Sequence, residues 1–453
     1  MLHQFELFGS FFTLDVNSGS LHLTDKFGAE AIKLFEYNSK EECIRLLLDN
    51  NNGEISEEEL YNFFENLQVL KDEGKLYSPD ILPYIKAPNK KDKPLKALCL
   101  NVAHSCNLCC NYCFAAAGNF TDKQPLMPLS VGKAAIDFLI ESSKGRYNLD
   151  VDFFGGEPLL NIDVVKGIVE YARSLEKTHK KHFRFTFTTN GVLLNDDIME
   201  YLNNNMDNVV LSLDGRKEVH DYFRKAPNGK GSYDIIVPKF QKFADIRGNK
   251  EYYIRATFTR HNLDFFNDIL HMLDLGFNEL SMEPVVAAPD SPEAIKEEDL
   301  PIIFEQYELL AKEMIDRHKK GKPFGFYHYN ISLDEGPCAY KLLSGCGTGC
   351  EYMAVTPRGE LFPCHRFVGD ERFLLGDVFG GIKNHSLVEE FAQNSLLSHE
   401  ECKNCWAKYF CAGGCAANNF EASGSISGIY AIGCEMFKKR LECALAVKAL
   451  CAD

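Results

Sequence analysis

The sequence predicts an α/β fold with a smaller part on either side, and three observations lead there. Between residues 95 and 320 strand-like and helical runs alternate about six times; before residue 85 short strands and helical patterns form a group of their own; after residue 330 the chain turns rich in cysteine and glycine and loses regular pattern. Strands alternating with helices read as βα units, which build a parallel sheet, open or curled into a barrel, with function carried by the loops after the strands. At 453 residues the chain also exceeds one ordinary domain. The expected division is 1–85, 95–320 and 330–453.

The front group begins with "FELFGSFFTLDVNSGSLHLTD", short strands around a turn at Asn17, Ser18 and Gly19. Three helical patterns follow, "FGAEAIKLFE", "SKEECIRLLL" and "SEEELYNFFENLQVLKDEG", the last two opened by a serine. The charged, proline-containing "KAPNKKDKP", residues 86–94, ends the group. The middle region opens with "LKALCLNVA" and continues through the strand-like "LDVDFFGG", "FRFTFTTNG", "NVVLSLDG", "EYYIRATFTR" and "ELSMEPVV". In the second of these, Phe183, Phe185 and Phe187 fall on one side. Helical stretches such as "SVGKAAIDFLIESSK" and "VVKGIVEYARSLEK" lie between, and "LPIIFEQYELLAKEMIDRHKK" leads into the last region. A segment so weak in pattern is expected to be held by metal clusters more than by apolar burial.

The composition, 45% hydrophobic and 25% charged, describes a soluble globular protein. No apolar run reaches the roughly 18 residues that a bilayer needs, and "MLHQFELFGS" lacks the basic start and apolar segment of a signal peptide. The expected location is the cytoplasm, with no membrane partner. A formal charge of −16 argues against nucleic acid, whose phosphates draw on a basic surface. Seventeen cysteines are too many for chance and sit in the wrong compartment for stable disulfides, so metal ligation leads. Cys43 and Cys99 are isolated, four cysteines cluster at 106–113, and eleven lie between 338 and 451, which makes two metal-bearing regions.

In "CNLCCNYC" the residues Cys106, Cys110 and Cys113 supply three thiolates from one loop just after the first strand of the alternating region. Three thiolates on a four-iron cluster leave one iron open to substrate or cofactor. Zinc is the competitor, but structural zinc sites usually close with four ligands in two separated pairs. Cys109 breaks the set and reads as a buried small hydrophobe.

This spacing, followed by the aromatic Phe114, resembles the signature of the radical S-adenosylmethionine enzymes. "GGEP", residues 155–158, is similar to the loop of that family that receives the amino group of the methionine moiety, and "SLDG", residues 212–215, with "HDYFR" ending at Arg224, to its next cofactor segment. Taken singly these are also ordinary turn chemistry. Together, in order and at strand ends, they imply a partial (β/α)6 barrel that binds a four-iron cluster and S-adenosylmethionine. The cofactor would lie along Gly155, Gly156 and Glu157, with Ser212 and Asp214 toward its ribose and Arg224 toward its carboxylate. In the family an electron from the reduced cluster cleaves the cofactor to a 5′-deoxyadenosyl radical, which abstracts hydrogen from an unactivated carbon. Oxygen sensitivity follows.

"CKNCWAKYFCAGGC" with Cys434, and Cys346, Gly359 and Cys364 upstream, resembles the SPASM domain of radical enzymes that modify ribosomal peptides. The resemblance implies two auxiliary four-iron clusters, three in all. Cys402, Cys405, Cys411 and Cys434 would hold the outer one, and Cys346, Cys364 and Cys415 the inner. Its fourth ligand is open between Cys338, Cys350 and a substrate thiolate. Two zinc sites are the plain alternative. Cys443 and Cys451, on "KKRLECALAVKALC", read as packing residues.

The front group is similar to the winged-helix-like leader-recognition element of peptide-modifying enzymes, in which a strand edge pairs with the leader. Its alternative, a nucleic-acid-binding winged helix, is disfavoured by the acidic "SEEELYNFFEN". The whole layout resembles the maturases of the peptides called six cysteines in forty-five residues, which join cysteine sulfur to carbon as a thioether. That implies a cysteine-rich precursor peptide with a leader as substrate, and a cytosolic electron donor such as flavodoxin or ferredoxin. No general base stands out; Glu283 and Arg255, on late strands, are candidates for the barrel interior or for structural ion pairing. The rival readings are an anaerobic sulfatase maturase, a SPASM enzyme forming carbon–carbon links or D-residues, and a zinc-stabilised peptide-binding scaffold without catalysis.

Overall fold

The computed structural model describes residues 1–50, 55–85, 93–113, 115, 125–333, 343 and 345–452. Phe114 and Cys338 lie outside the described residues. The front group has three strands, β1 (Leu2–Leu7), β2 (Ser10–Asp15) and β3 (Ser20–Thr24), in an antiparallel sheet of that order. Phe8 and Gly9, both at positive φ (56° and 73°), make the two-residue turn between β1 and β2, a hairpin geometry that favours glycine. Helices Lys26–Phe35, Lys40–Asn50 and Glu57–Asp72 follow. Asp25 caps the first by accepting from the Gly28 amide, and Ser56 with Glu59 forms a reciprocal capping box on the third. Ile32, Phe35, Ile44, Leu60 and Phe64 close a core around the buried thiol of Cys43.

The second sheet has eleven strands. β4 (Ala97–Ala103), β6 (Asn148–Gly155), β7 (His182–Thr189), β8 (Asn208–Ser212), β10 (Tyr252–Phe258) and β11 (Glu279–Pro284) are the six strands that the alternation predicts, all paired in parallel. β5 (Cys109–Cys110) and β9 (Arg224–Lys225) form a separate two-stranded ribbon. β12 (Gly325–Phe326) extends the edge at β11. Burial alternates along β6, β7 and β10, whereas β4 is buried throughout; Phe153, Phe183, Phe185 and Phe187 are fully buried, and each contributes roughly 1.5–3 kcal/mol relative to exposure. Polar residues such as Asp152, Arg255 and Glu283 occupy the alternate positions.

The region after 330 departs from expectation. It carries β13 (Tyr352–Val355), β14 (Glu360–Phe362), β15 (Gly376–Asp377) and β16 (Gly381–Ile382), and β13 pairs in parallel with β4, so the large sheet runs on across the anticipated boundary. The chain then passes through short helices to a closing helix, Ala431–Leu450. Leu441 and Leu445 of that helix share a core with Leu14 and Val16 of the front group. His3 stacks on Trp406 at 3.6 Å and meets Glu442 at 2.9 Å. Lys408, with no exposed side chain, places Nζ 2.9 Å from Asp80 Oδ2. The front group thus has its own core but is bolted to the far end of the chain.

Cys443 is buried and Cys451 half-buried against the core, as packing residues. Among the described residues no helix is long and apolar enough to cross a membrane.

Candidate functional site

Strand β4 delivers the loop that carries Cys106, Cys110 and Cys113, and three neighbouring segments brace it. The first is "GGEP". The Gly156 amide donates to the Ala103 carbonyl at 2.7 Å and the Glu157 amide to the Ser105 carbonyl at 2.9 Å. The approach is so close that a Cβ at Gly155 would stand 2.1 Å from the Ala103 carbonyl oxygen, and one at Gly156 2.2 Å from that of Ser105. Gly155 also needs φ of +126°. The glycines fasten one strand-end loop to the next.

Glu157 supplies the second brace. Its carboxylate accepts from Thr189 Oγ1 (2.8 Å) and the amides of Asn190 (2.8 Å) and Leu159 (3.0 Å). Burial pushes its pKa up to about 7 against those hydrogen bonds. Asn190 in turn donates to Asn107 Oδ1 at 2.7 Å and stands 3.7 Å from Cys106 Sγ.

The third brace comes from 114 residues downstream. β5 pairs antiparallel with β9, setting Cys110 opposite Arg224 and Cys109 opposite Lys225. Cys109 is half-buried in this ribbon, so its part is backbone pairing and the expected buried hydrophobe is corrected. Arg224 donates through Nε (2.8 Å) and Nη2 (3.1 Å) to Asp214, which also accepts from the Tyr112 hydroxyl (2.6 Å) and the Thr257 amide (3.1 Å). Asp214 is fully buried, and both of its oxygens accept hydrogen bonds inside the protein. Ser212 closes β8, level with Arg255 on β10.

Sequence reasoning missed Tyr112, Asn190 and His220. Tyr112 lies inside the cysteine spacing, and the signal was its place between Cys110 and Cys113. His220 is buried, accepts the Asp214 amide at Nδ1 (3.3 Å) and meets Ser232 Oγ (2.9 Å), and burial lowers its pKa to about 3.

Ten of the thiols lie in three neighbourhoods, in each of which one thiol feels the charge of the others; Cys99 also lies near Cys364. Cys106 and Cys113 both act on Cys110; Cys346 and Cys415 on Cys364; Cys402, Cys405 and Cys434 on Cys411. Burial pushes Cys106, Cys110, Cys364 and Cys411 up to about 12. Such thiols stay protonated until a cation takes the proton's place. Cys350 is buried with Sγ 3.6 Å from the Val388 carbonyl. Among the described residues, no three His, Cys, Asp or Glu side chains converge closely enough for a single metal ion.

A cavity of about 290 Å³ opens beside the last set, lined by Cys402, Cys411, Cys415 and Cys434 and reaching Glu283, Tyr307 and Arg440. Glu283 meets His328 Nε2 at 3.3 Å and Arg440 Nη1 at 3.5 Å, so the structural ion pairing weighed for it is present. Arg255 is exposed on the polar face, near His328 and His365, whose pKa values it helps to lower.

Comparison with known proteins matches residues 100–273 to the family model of the Radical SAM superfamily. This part of the chain is a radical SAM domain, a class that implies a [4Fe-4S] cluster and S-adenosylmethionine. The chain is 26% identical over 367 residues to a cysteine-type anaerobic sulfatase-maturating enzyme of Clostridium novyi, covering 77% of this chain and 95% of that one. Native anSMEcpe with bound AdoMet and Kp18Cys peptide shares the fold at a TM-score of 0.65, with 21% identity, over 79% of this chain and 99% of that one. Streptococcus suis SuiB bound to S-adenosylmethionine matches 94% of this chain and 97% of its own at a TM-score of 0.52 and 16% identity.

Proposed function

We propose that the chain is a radical SAM peptide maturase that joins cysteine sulfur to carbon in a cysteine-rich precursor, using one catalytic and two auxiliary four-iron clusters. The observation that carries this reading is the sorting of ten cysteines into three sets, one on the radical SAM loop and two beyond it. The fit rests on donor chemistry, since thiolates are the ligands that iron–sulfur clusters take, and on the cavity beside Cys402, Cys411 and Cys434.

Cys106, Cys110 and Cys113 would hold the catalytic cluster, which with S-adenosylmethionine supplies a hydrogen-abstracting carbon radical. The backbone of Gly155 and Gly156 would pass close to the cofactor, and Arg224, held by Asp214, would present a cation to its carboxylate. Cys402, Cys405, Cys411 and Cys434 would hold the outer cluster, and Cys346, Cys364 and Cys415 the inner. The front sheet would take the leader along the edge of β3, where Leu23 is 48% exposed, main-chain pairing giving affinity and side-chain pockets specificity. A small cytosolic electron carrier would supply reducing equivalents.

The test is the mass of a cysteine-rich precursor after anaerobic incubation with reconstituted enzyme, S-adenosylmethionine and reductant. Loss of two hydrogens per ring, with those thiols blocked to alkylation even after disulfide reduction, is the expected result. Unchanged mass alongside 5′-deoxyadenosine would discard that chemistry for that substrate. The likeness to sulfatase-maturating enzymes, over 95% of the Clostridium novyi protein, favours formylglycine formation as the second reading. A sulfatase peptide in the same assay, gaining an aldehyde, would establish it.

A further inference from the structure

The cavity beside the outer thiols holds more than thiols. Among its described lining residues Arg440 is the one cation, on the closing helix, with its guanidinium 5.6 Å from the Phe437 ring. Tyr307 lines the same cavity from the helix Leu300–Lys319; it is 1% exposed, and its hydroxyl lies beside the Arg440 guanidinium. Glu283, at the end of β11, reaches in from the sheet with Oε2 3.5 Å from Arg440. The guanidinium and the hydroxyl beside it share this cavity with Cys402, Cys411 and Cys434, and both can donate toward negative charge there; Lys438 is a further cation close to Cys402 and Cys434. Hydrogen bonds and cations near cluster sulfur stabilise the more negative, reduced state and so raise its potential.

We propose that Arg440 and Tyr307 are positioning residues that raise the reduction potential of the outer cluster, and that Glu283 opposes them by drawing the guanidinium toward the sheet. The proposal rests on the reading of Cys402, Cys405, Cys411 and Cys434 as the ligands of a four-iron cluster. It assigns opposite signs to two neighbours in one ion pair, which a purely structural role would not do. Because Glu283 also meets His328, at 3.3 Å, the same carboxylate ties this electrostatic setting to the polar face of the large sheet.

The experiment is a potentiometric titration of the full-length reconstituted enzyme under argon, with the reduced clusters read by electron paramagnetic resonance. The signal lost in Cys434→Ala identifies the outer set. Arg440→Gln is expected to lower the reduced-to-oxidised ratio of that signal about tenfold at fixed potential, ~59 mV for a one-electron couple. Arg440→Lys should recover most of the shift, Tyr307→Phe should shift less in the same direction, and Glu283→Gln should shift the opposite way. Unchanged potentials with iron retained, or shifts of one sign in Arg440→Gln and Glu283→Gln, would overturn the proposal. If Arg440→Gln sheds iron, Tyr307→Phe and Glu283→Gln decide, since both keep the guanidinium; shifts of opposite sign support the proposal and their absence overturns it. Should Cys434→Ala remove neither iron nor a signal, the cluster reading fails, and the proposal with it.

Discussion

The cysteine loop at 106–113 and the thiols at 402–434 present similar chemistry on different supports. The first is braced from three directions by strand-end loops: backbone hydrogen bonds from Gly156 and Glu157, the ribbon with Arg224, and Asp214 holding Tyr112 and Arg224 together. The second rides on two helices of four residues each, Glu400–Lys403 and Lys408–Cys411, and on the closing helix that carries Cys434. Four-residue helices have almost no independent stability. The lesson is that the first loop is preorganised by protein, whereas the second set has little scaffolding of its own.

The sharpest way to break this contrast is to remove one thiol from each. Cys110→Ala should abolish 5′-deoxyadenosine formation while leaving the melting temperature near that of the parent. Cys434→Ala should leave cofactor cleavage measurable, lower the iron content, and expose 400–434 to protease. Equal thermal losses in both variants would refute the comparison.

Next in size is Gly156→Ala. The new Cβ would stand 2.2 Å from the Ser105 carbonyl, so backbone must move. A cost of ~1–3 kcal/mol, typical of overpacking, should accompany loss of cofactor cleavage, read by thermal unfolding and product assay. Gly424→Ala, with open space around it but φ of +77°, should cost less and spare the activity.

The braced loop also carries a dependence on pH. His220 titrates near 6.5 when unfolded and near 3 when buried, so the unfolded chain binds more protons between those values. Its share of stability is present above about 6.5 and is lost progressively as pH falls toward 3. His220→Gln should flatten that part of the melting profile; an unaltered profile would remove His220 from the account. Smallest is Tyr112→Phe, which deletes one of the four hydrogen bonds to Asp214. About 1–2 kcal/mol is expected, with a rise in the KM for S-adenosylmethionine greater than the fall in kcat.

Much of this architecture was legible in advance, and the residues show why. Alternation of Phe183, Phe185 and Phe187 with polar neighbours has the period of a strand, so β7 could be read directly; β4 and β8 could instead be read as short apolar runs, and are buried along almost their whole length. β13 to β16 could not, because runs of two to four residues carry no period. The clustering of the cysteines was visible in their spacing. Their surroundings were not. Cys109 pairs with a residue far downstream, and Asp214 shows what it holds only when β8, β10 and the cysteine loop meet.

The buried ammonium of Lys408 bears on anyone who would recombine this protein. It sits between Cys405 and Cys411 and answers to Asp80, at the tail of the front group, and to the Lys403 carbonyl. Removing one partner of a buried pair costs ~3–5 kcal/mol when both are enclosed, and less here because Asp80 is partly open to water. Front groups from related enzymes are therefore not interchangeable parts. A chimera that changes the front group must carry an acid at position 80 or replace Lys408, or the graft will disturb the thiol set at the opposite end of the sequence.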